Sequence, residues 1–434
     1  MRMLIINAGS SSLKFTVFDF SWMGRQSVLA TGQVECLGLP TSYFIYQKAG
    51  HIKSKTELEV VEERKDRGDY FNHADAMKII CDKLLDPEEG VIKNIEDIIA
   101  IGHRAVHGGE KITKPVIIDE KVKSIIRECI SLAPIHNPAN LAGIEACEKF
   151  FPGAPNVAVF DTAFHQTMPE HAFIYPLPYE WYEQSQVRRY GFHGTSHLYV
   201  SKRAAALLGK DPKDTNIVTM HIGNGVSHCA IKNGISVDTS MGLTPLEGAV
   251  MGTRCGDIDP AIPAFMMQKD NLSAKEIDSI LNKKSGVLGI TGRFTDRRDV
   301  IEHANAGDKR CKLSLDIEAY RLKKYIGAYM AAVGKLDAVV FTAGVGEMGA
   351  VIREKAIEGL DHIGIILDRE RNKGAMTRKR ETLISTDDSP VKVFVIPTDE
   401  ELVFTEDVVG ILNGSYTDHM NFKYSFAKAD FVRK

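Results

Sequence analysis

Short apolar runs in this chain alternate with glycine- and serine-rich turns. Met3-Leu4-Ile5-Ile6 is apolar, Asn7-Ala8-Gly9-Ser10-Ser11-Ser12-Leu13-Lys14 is small and polar, and Phe15-Thr16-Val17-Phe18 alternates. That order predicts strand, tight turn, strand. The pattern returns further on. Ile217-Val218-Thr219-Met220-His221 reads as a strand, Gly223-Asn224-Gly225 as a turn, and Val226 to Ile231 as an alternating strand. Lys232-Asn233-Gly234 then turns the chain into Ile235-Ser236-Val237. Two such openings, heading halves of similar length, suggest a duplicated α/β domain with a ligand cleft between the copies.

Helical periods fill the space between. Asn72 is placed to cap a helix carrying Met77, Ile80, Cys81 and Leu84 on one face. Asn137-Pro138 has cap-then-proline chemistry, followed by Leu141, Ile144 and Cys147 at helical spacing. Ser273 and Glu276 form a capping box before Ile277, Ile280 and Leu281, and Gly286 is expected to end that segment. Residues 312–333 predict a long helix ending at Gly334. Asp337 to Phe341 predicts a buried strand, and Ala343-Gly344-Val345-Gly346-Glu347 a turn into a further helix. Residues 415–434 are polar, contain aromatics and show no period.

Composition narrows the class. The chain has 434 residues, 44% hydrophobic and 26% charged, enough for about two to three domains with cores of their own. A net charge of −3 argues against recruitment of nucleic acid or an anionic membrane. No apolar run approaches the roughly 18 residues of a membrane span. The strand expected from residue 3 leaves no room for a signal peptide, so a cytoplasmic enzyme is expected. The seven cysteines are odd in number and scattered, which suits a reducing compartment better than a disulfide framework or a zinc site.

Several segments concentrate polar chemistry beside strands. Arg104 precedes a Gly108-Gly109 turn, His136 stands just before a helix, and Asp161 ends the run Val157 to Phe160. His193 and His197 share a glycine-rich loop, and Arg254 is flanked by glycines. Singly, each such residue is most often structural. Together with a phosphate-type turn, two arginines, several histidines and one strand-end aspartate suit an anionic substrate. The first turn is not the G-x-x-x-x-G-K-[ST] P-loop. A serine hydrolase is disfavoured by the absence of G-x-S-x-G, a zinc hydrolase by the absence of H-E-x-x-H, and a Rossmann dehydrogenase by Gly344-Val345-Gly346 lacking the further glycine spacing.

These motifs, in this order, resemble the acetate kinase (acetokinase) family, a group of ATP:carboxylate phosphotransferases in the superfamily of sugar kinases, actin and heat-shock chaperone ATPases. The likeness runs from about residue 3 to residue 405. It rests on N-A-G-S-S-S-L-K at 7–14, G-H-R-A-V-H-G-G at 102–109, P-I-H-N-P at 134–138 and V-F-D-T-A-F-H-Q-T-M-P at 159–169. It continues with G-F-H-G-T-S-H at 191–197, H-I-G-N-G at 221–225, D-T-S-M-G-L-T-P-L-E-G at 238–248, M-G-T-R-C-G-D-I-D-P at 251–260 and T-A-G-V-G-E at 342–347.

The resemblance implies a duplicated actin-like, ribonuclease-H-like α/β core, with the active site in the cleft between two domains. The first domain would be discontinuous, 1–165 plus about 402–434. The second, 166–401, would bind nucleotide and form a homodimer interface. The implied reaction is Mg²⁺-dependent, reversible transfer of the ATP γ-phosphoryl group to acetate by direct in-line displacement, giving acetyl phosphate and ADP. Mn²⁺ would be able to substitute, and no nucleic acid or membrane is implied. Propionate kinase activity is the alternative within the family, and a non-catalytic actin-like ATPase module the alternative outside it.

Carried over by position, Asn7 and Glu400 would help hold the metal, and Ser10, Ser12 and Lys14 would form the phosphate-side turn. Arg104 and Arg254 would bind carboxylate and transferring phosphoryl group, His193 would stabilise the transition state with support from His136, and Asp161 would be essential. His221, Ile222, Gly223, Asn224 and Gly225, then Asp296, Arg297 and Arg298, then Gly344, Val345, Gly346, Glu347 and Met348, would bind nucleotide. Val106, Ile135, Phe192 and Pro245 would enclose the acyl methyl. If the strand that carries Arg104 continues, Val106 shares its face. Two departures stand out. The turn usually written G-I-G-E-N ends here in Met348, and the C-terminal T-N-E-E reads Thr398-Asp399-Glu400-Glu401.

Overall fold

A computed structural model of the chain describes residues 2–20, 26–375 and 380–432. The chain divides into two compact units, Met1–Ala163 with Glu400–Ser425, and Phe164–Asp399 with Phe426–Lys434.

The first unit is built on strands β1 (Arg2–Gly9), β2 (Ser12–Phe20), β3 (Gln26–Glu35), β4 (Tyr43–Lys48), β5 (Ser54–Glu57), β6 (Ile98–Ala105), β7 (Val116–Ile117) and β8 (Asn156–Phe160). They form one sheet in the order β5-β4-β3-β2-β1-β6-β8-β7. The hairpin expected around the Gly/Ser turn is present, β1 pairing antiparallel with β2 from Arg2–Asp19 to Gly9–Ser12. β6 lies parallel to β1, and β8 parallel to β6. Because strand side chains alternate, the opening run feeds two cores. Leu4, Ile6, Leu13 and Phe15 pack with Met77, Ile80 and Cys147, which lie on the helices His73–Leu84 and Asn137–Phe150. Met3, Ile5 and Phe18 pack on the opposite face with Phe404 and Val408 of the helix Glu400–Leu412. Asn72 caps the first of these helices in a full capping box with Asp75.

The second unit repeats the plan. Its strands are β9 (Asn216–Ile222), β10 (Val226–Lys232), β11 (Ile235–Thr239), β12 (Ala338–Thr342), β13 (Thr382–Leu383) and β14 (Lys392–Val395). The order β11-β10-β9-β12-β14-β13 matches β3-β2-β1-β6-β8-β7 strand for strand. Directions match as well: β9 is antiparallel to β10 and parallel to β12, β12 is parallel to β14, and each sheet ends in an antiparallel edge strand. The duplication read from two Gly turns therefore extends through six strands of each sheet.

Three local expectations are corrected. The Ser273-capped helix runs Ala274–Lys283, and Gly286 begins a new helix, Gly286–Thr291, instead of ending the old one. Its φ of +61° and the 2.2 Å that would separate an added Cβ from Met251 O explain the glycine. Residues Ala343–Met348 are themselves helical, entered through Ala343 at φ +64°. β6 stops at Ala105, because the Val106 N–H donates to Asn140 Oδ1 (3.0 Å) instead of to a neighbouring strand. Val106 therefore does not share a strand face with Arg104. The long helix matches closely, spanning Lys309–Val333 between Asp308 and Gly334.

Of the segment without a period, residues 415–432 are described, and they form loop around a 3₁₀ turn, Ser425–Ala427. Tyr424 is buried and donates to Asp407 Oδ1 (2.6 Å) in the first unit. From Phe426 onward the tail belongs to the second unit, where Arg203 donates to Phe426 O (2.6 Å) and Lys428 O (2.7 Å). No helix among the described residues is long and apolar enough to cross a membrane.

Candidate active site

In the first unit, parallel pairing brings chemistry to the carboxyl ends of three strands. Asn7 near the end of β1 is in register with Arg104 on β6, which is in register with Val159 on β8, and Asp161 follows β8 directly. This is where α/β sheets place ligand-binding groups. The Asp161 N–H donates to Ala105 O (3.0 Å), which fixes the start of the loop. Arg104 then grips Asp161 bidentately, Nε to Oδ1 at 3.0 Å and Nη2 to Oδ2 at 2.6 Å. The Asp161 side chain is 3% exposed and that of Arg104 25%. The Asp161 charge, with a further contribution from Glu400, holds the Arg104 guanidinium well above its ordinary value despite burial. Glu400 opens the helix that packs against β6, β8 and β1.

The Gly/Ser turn is held from below. His73 Nε2 donates to Gly9 O (2.8 Å), and Asn140 Nδ2 to Ala8 O (2.9 Å). Since Asn140 also accepts from Val106 N–H, one buried amide ties the turn to the Arg104 segment. Sequence reasoning missed both residues. The signal for Asn140 was a polar residue on the apolar face of an amphipathic helix. Ser10 is exposed, Ser12 half-buried, and the Lys14 ammonium lies 3.9 Å from Glu35. A cavity of about 240 Å³ borders Asn7, Lys14, Arg104 and Glu401. His136, not Asn137 as the sequence suggests, is the cap residue of the helix Asn137–Phe150, and Asn137 is its first residue.

In the second unit the matching turn gathers a different set. His193 adopts φ +58°, an uncommon conformation for a non-glycine residue, immediately before the helix Gly194–Leu207. Its ring stacks on His221 at 4.3 Å and 19°. The position a Cβ on Gly225 would take lies 3.6 Å from His193 Nε2 and 3.4 Å from Arg254 Nη1, so both groups face the turn. Arg254 donates to Pro245 O (3.2 Å), and no carboxylate among the described residues pairs with it. Desolvation alone lowers its pKa from the ordinary value. A guanidinium held this way is suited to an incoming anion.

Beside this turn lies a cavity of about 750 Å³, walled by Gly223, Asn224, Asp296, Arg298, Gly344, Val345 and Met348 among others. Sequence reasoning missed Thr295, Ile301 and Val351, which also line it and carry no chemistry that would mark them. Arg297 lines it too, but its guanidinium is committed to buried Glu318 at 2.9 Å. Gly346 and Glu347 serve the frame: Gly346 O accepts from Arg353 (2.8 Å), and Glu347 accepts from Thr398 N–H (3.3 Å). Ile222 is fully buried in β9. Of the acyl-pocket candidates, Val106 and Ile135 belong to the first unit, Phe192 and Pro245 to the second. Val106 and Phe192 are buried, whereas Ile135 is 58% exposed.

The model of the acetokinase family matches residues 2–406. Over its full length the chain is 69% identical to the acetate kinase of Geobacter sulfurreducens, covering all of both proteins. The chain belongs to the acetokinase family. Among solved structures, the Porphyromonas gingivalis acetate kinase is similar at a TM-score of 0.88 and 45% identity, covering 95% of this chain and 99% of its own. A propionate kinase from Francisella tularensis is similar at 0.84 and 40%, covering 94% and 99%. Family membership agrees with the two mixed sheets and their helices.

Proposed function

We propose that this chain is an acetate kinase, catalysing reversible transfer of the ATP γ-phosphoryl group to acetate to give acetyl phosphate and ADP. One observation carries the proposal: two guanidinium groups stand at phosphate-type turns, Arg104 oriented by a buried carboxylate and Arg254 without one. Acetate is ionised at pH 7, so no base has to remove a proton from the nucleophile. The obstacle is bringing a carboxylate against a triphosphate, and arginines and a histidine address that charge directly. Asp161 then acts by orienting Arg104, not as a general base. Direct in-line transfer needs no covalent phosphoenzyme. The cavity beside Gly223 and Gly344 would take the nucleotide.

The family uses a divalent metal, and Mg²⁺ is the ion proposed. Asn7 and Glu400 offer hard oxygen donors beside Arg104 and Asp161, which suits an ion that keeps most of its waters. When bound, it would neutralise charge on the transferring phosphate. A homodimer is also proposed, using the exposed apolar residues Ile258, Ile262 and Phe265 on and beside the helix Ala261–Asp270. Light scattering giving a lone 48.0 kDa species at micromolar concentration would refute it. A cytoplasmic location is proposed with it.

The activity test is purified protein with acetate, Mg-ATP and hydroxylamine. Acetyl hydroxamate is expected. Its absence with every nucleotide, and with pyrophosphate, would overturn the assignment.

A further inference from the structure

The second unit contains a group of buried histidines larger than phosphoryl transfer requires. His197 bonds Thr219 Oγ1 (2.7 Å) through Nδ1 and Ser227 Oγ (2.9 Å) through Nε2. Burial holds it well below its ordinary pKa, and neighbouring imidazoles add to that. His221 is 6% exposed, and its Nδ1 lies 2.8 Å from the hydroxyl of Ser196, which is 0% exposed.

That contact has two possible directions. If His221 Nδ1–H donates, the Ser196 hydroxyl hydrogen needs an acceptor elsewhere. Among the described residues Ser196 Oγ has no other partner, so this arrangement buries an unsatisfied hydroxyl. If Ser196 O–H donates, both groups are satisfied and the imidazole proton sits on Nε2. Charging His221 would make Nδ1 a donor as well and leave the same hydroxyl hydrogen without an acceptor.

We propose that Ser196 is a positioning residue that locks His221 as the neutral Nε2–H tautomer and so aims a hydrogen-bond donor at the Gly223–Gly225 turn. His221 Nε2 lies 4.0 Å from where a Cβ on Gly223 would stand, so the nitrogen faces the turn. Resting on the kinase assignment above, the donor would meet a nucleotide phosphate oxygen there. The partner that fixes one imidazole nitrogen decides what the other presents.

The test uses full-length protein labelled with ¹⁵N-histidine, with long-range ¹H–¹⁵N correlation spectra at pH 7.5 and the His221 signals assigned by their loss in His221→Gln. Wild type is expected to show the Nε2–H pattern at His221. Ser196→Ala is expected to shift the ring toward a mixture of tautomers and lower kcat by about 10-fold or more in the hydroxamate assay, leaving the KM for acetate within about twofold. Ser196→Cys, a weak donor of similar size, should fall between. An Nδ1–H pattern in wild type would overturn the proposal. So would a Ser196→Ala variant that loses activity with its tautomer unchanged, or changes tautomer with kcat unchanged. If wild type makes no acetyl phosphate yet shows the expected tautomer, the kinase assignment fails, and with it the catalytic half of the proposal, while the tautomer assignment stands.

Discussion

Replacing Asp161 by Asn tests whether this carboxylate works through Arg104. The amide keeps one oxygen for Arg104 but presents an N–H₂ where Oδ2 now accepts at 2.6 Å, setting donor against donor. Breaking one side of a fully buried ion pair costs about 3–5 kcal/mol. Arg104 is 25% exposed, so water recovers part of that, and about 2–3 kcal/mol is a fair expectation. At about 2–4 °C per kcal/mol for a domain of this size, Tm should fall by roughly 4–12 °C, leaving the protein folded at 25 °C. The catalytic loss should be larger. An arginine that no longer points at the transferring group forfeits about 3 kcal/mol or more, which is at least about 100-fold in kcat. The assay is acetyl hydroxamate formation at saturating acetate and Mg-ATP, with near-ultraviolet circular dichroism confirming the folded fraction. A second background makes the test decisive: in Arg104→Ala protein, adding Asp161→Asn should cost less than about tenfold, because the group it orients is gone. Near-wild-type kcat in the single variant, or full additivity in the double variant, would refute the positioning role.

Arg254→Ala should lower kcat/KM by about 100- to 1,000-fold while leaving Tm unchanged or slightly raised, because the cation is desolvated and has no carboxylate to compensate it; a marked fall in Tm would contradict this. Val106→Ala removes two methyl groups and should raise the propionate-to-acetate ratio of kcat/KM by about 10-fold or more by making room for the one extra methylene of propionate; an unchanged ratio would place the pocket wall elsewhere. His103 is buried against Asn156, and desolvation pushes its pKa down to about 4. Its unfolded counterpart titrates near 6.5, so the unfolded chain takes up the proton first. Its contribution to stability should be complete above about pH 6.5, fall as pH drops toward 4, and change no further below that; urea midpoints for wild type and His103→Gln should diverge only in that window.

Much of the fold was legible because its signals are local. The apolar run at Met3 to Ile6, the Gly turns at 9 and 223, the cap at Asn72, the capping box at Ser273 and the stop at Gly334 each act within a few residues. What was not legible depends on distant partners. Gly286 looked like a helix end, but its missing side chain admits the backbone of Met251 and Arg254. Ala343 to Glu347 looked like a turn because two glycines weaken helix propensity, yet the segment is helical against β9. Arg104 and Asp161 stood out as strand-end charges, but their pairing needed the β6–β8 register. Arg297 carried the right chemistry for a nucleotide, and only the fold shows Glu318 holding it. Ile301 and Val351, as ordinary apolar residues, gave no sign that they face a cavity.

The helix Glu400–Leu412 has a consequence for how the chain is made. Its Phe404 and Val408 cover one face of the first sheet, against Met3, Ile5 and Phe18. A ribosome delivers those three residues at the outset and must then synthesise the whole of Phe164–Asp399 before the cover exists. At about 5–20 residues per second, the apolar face, once β8 has completed it, waits roughly 10–50 s without its partner. The nascent chain therefore carries an uncovered apolar face through most of its synthesis. A message truncated just before codon 400 would yield a second unit whose sheet is complete and a first unit that stays adhesive.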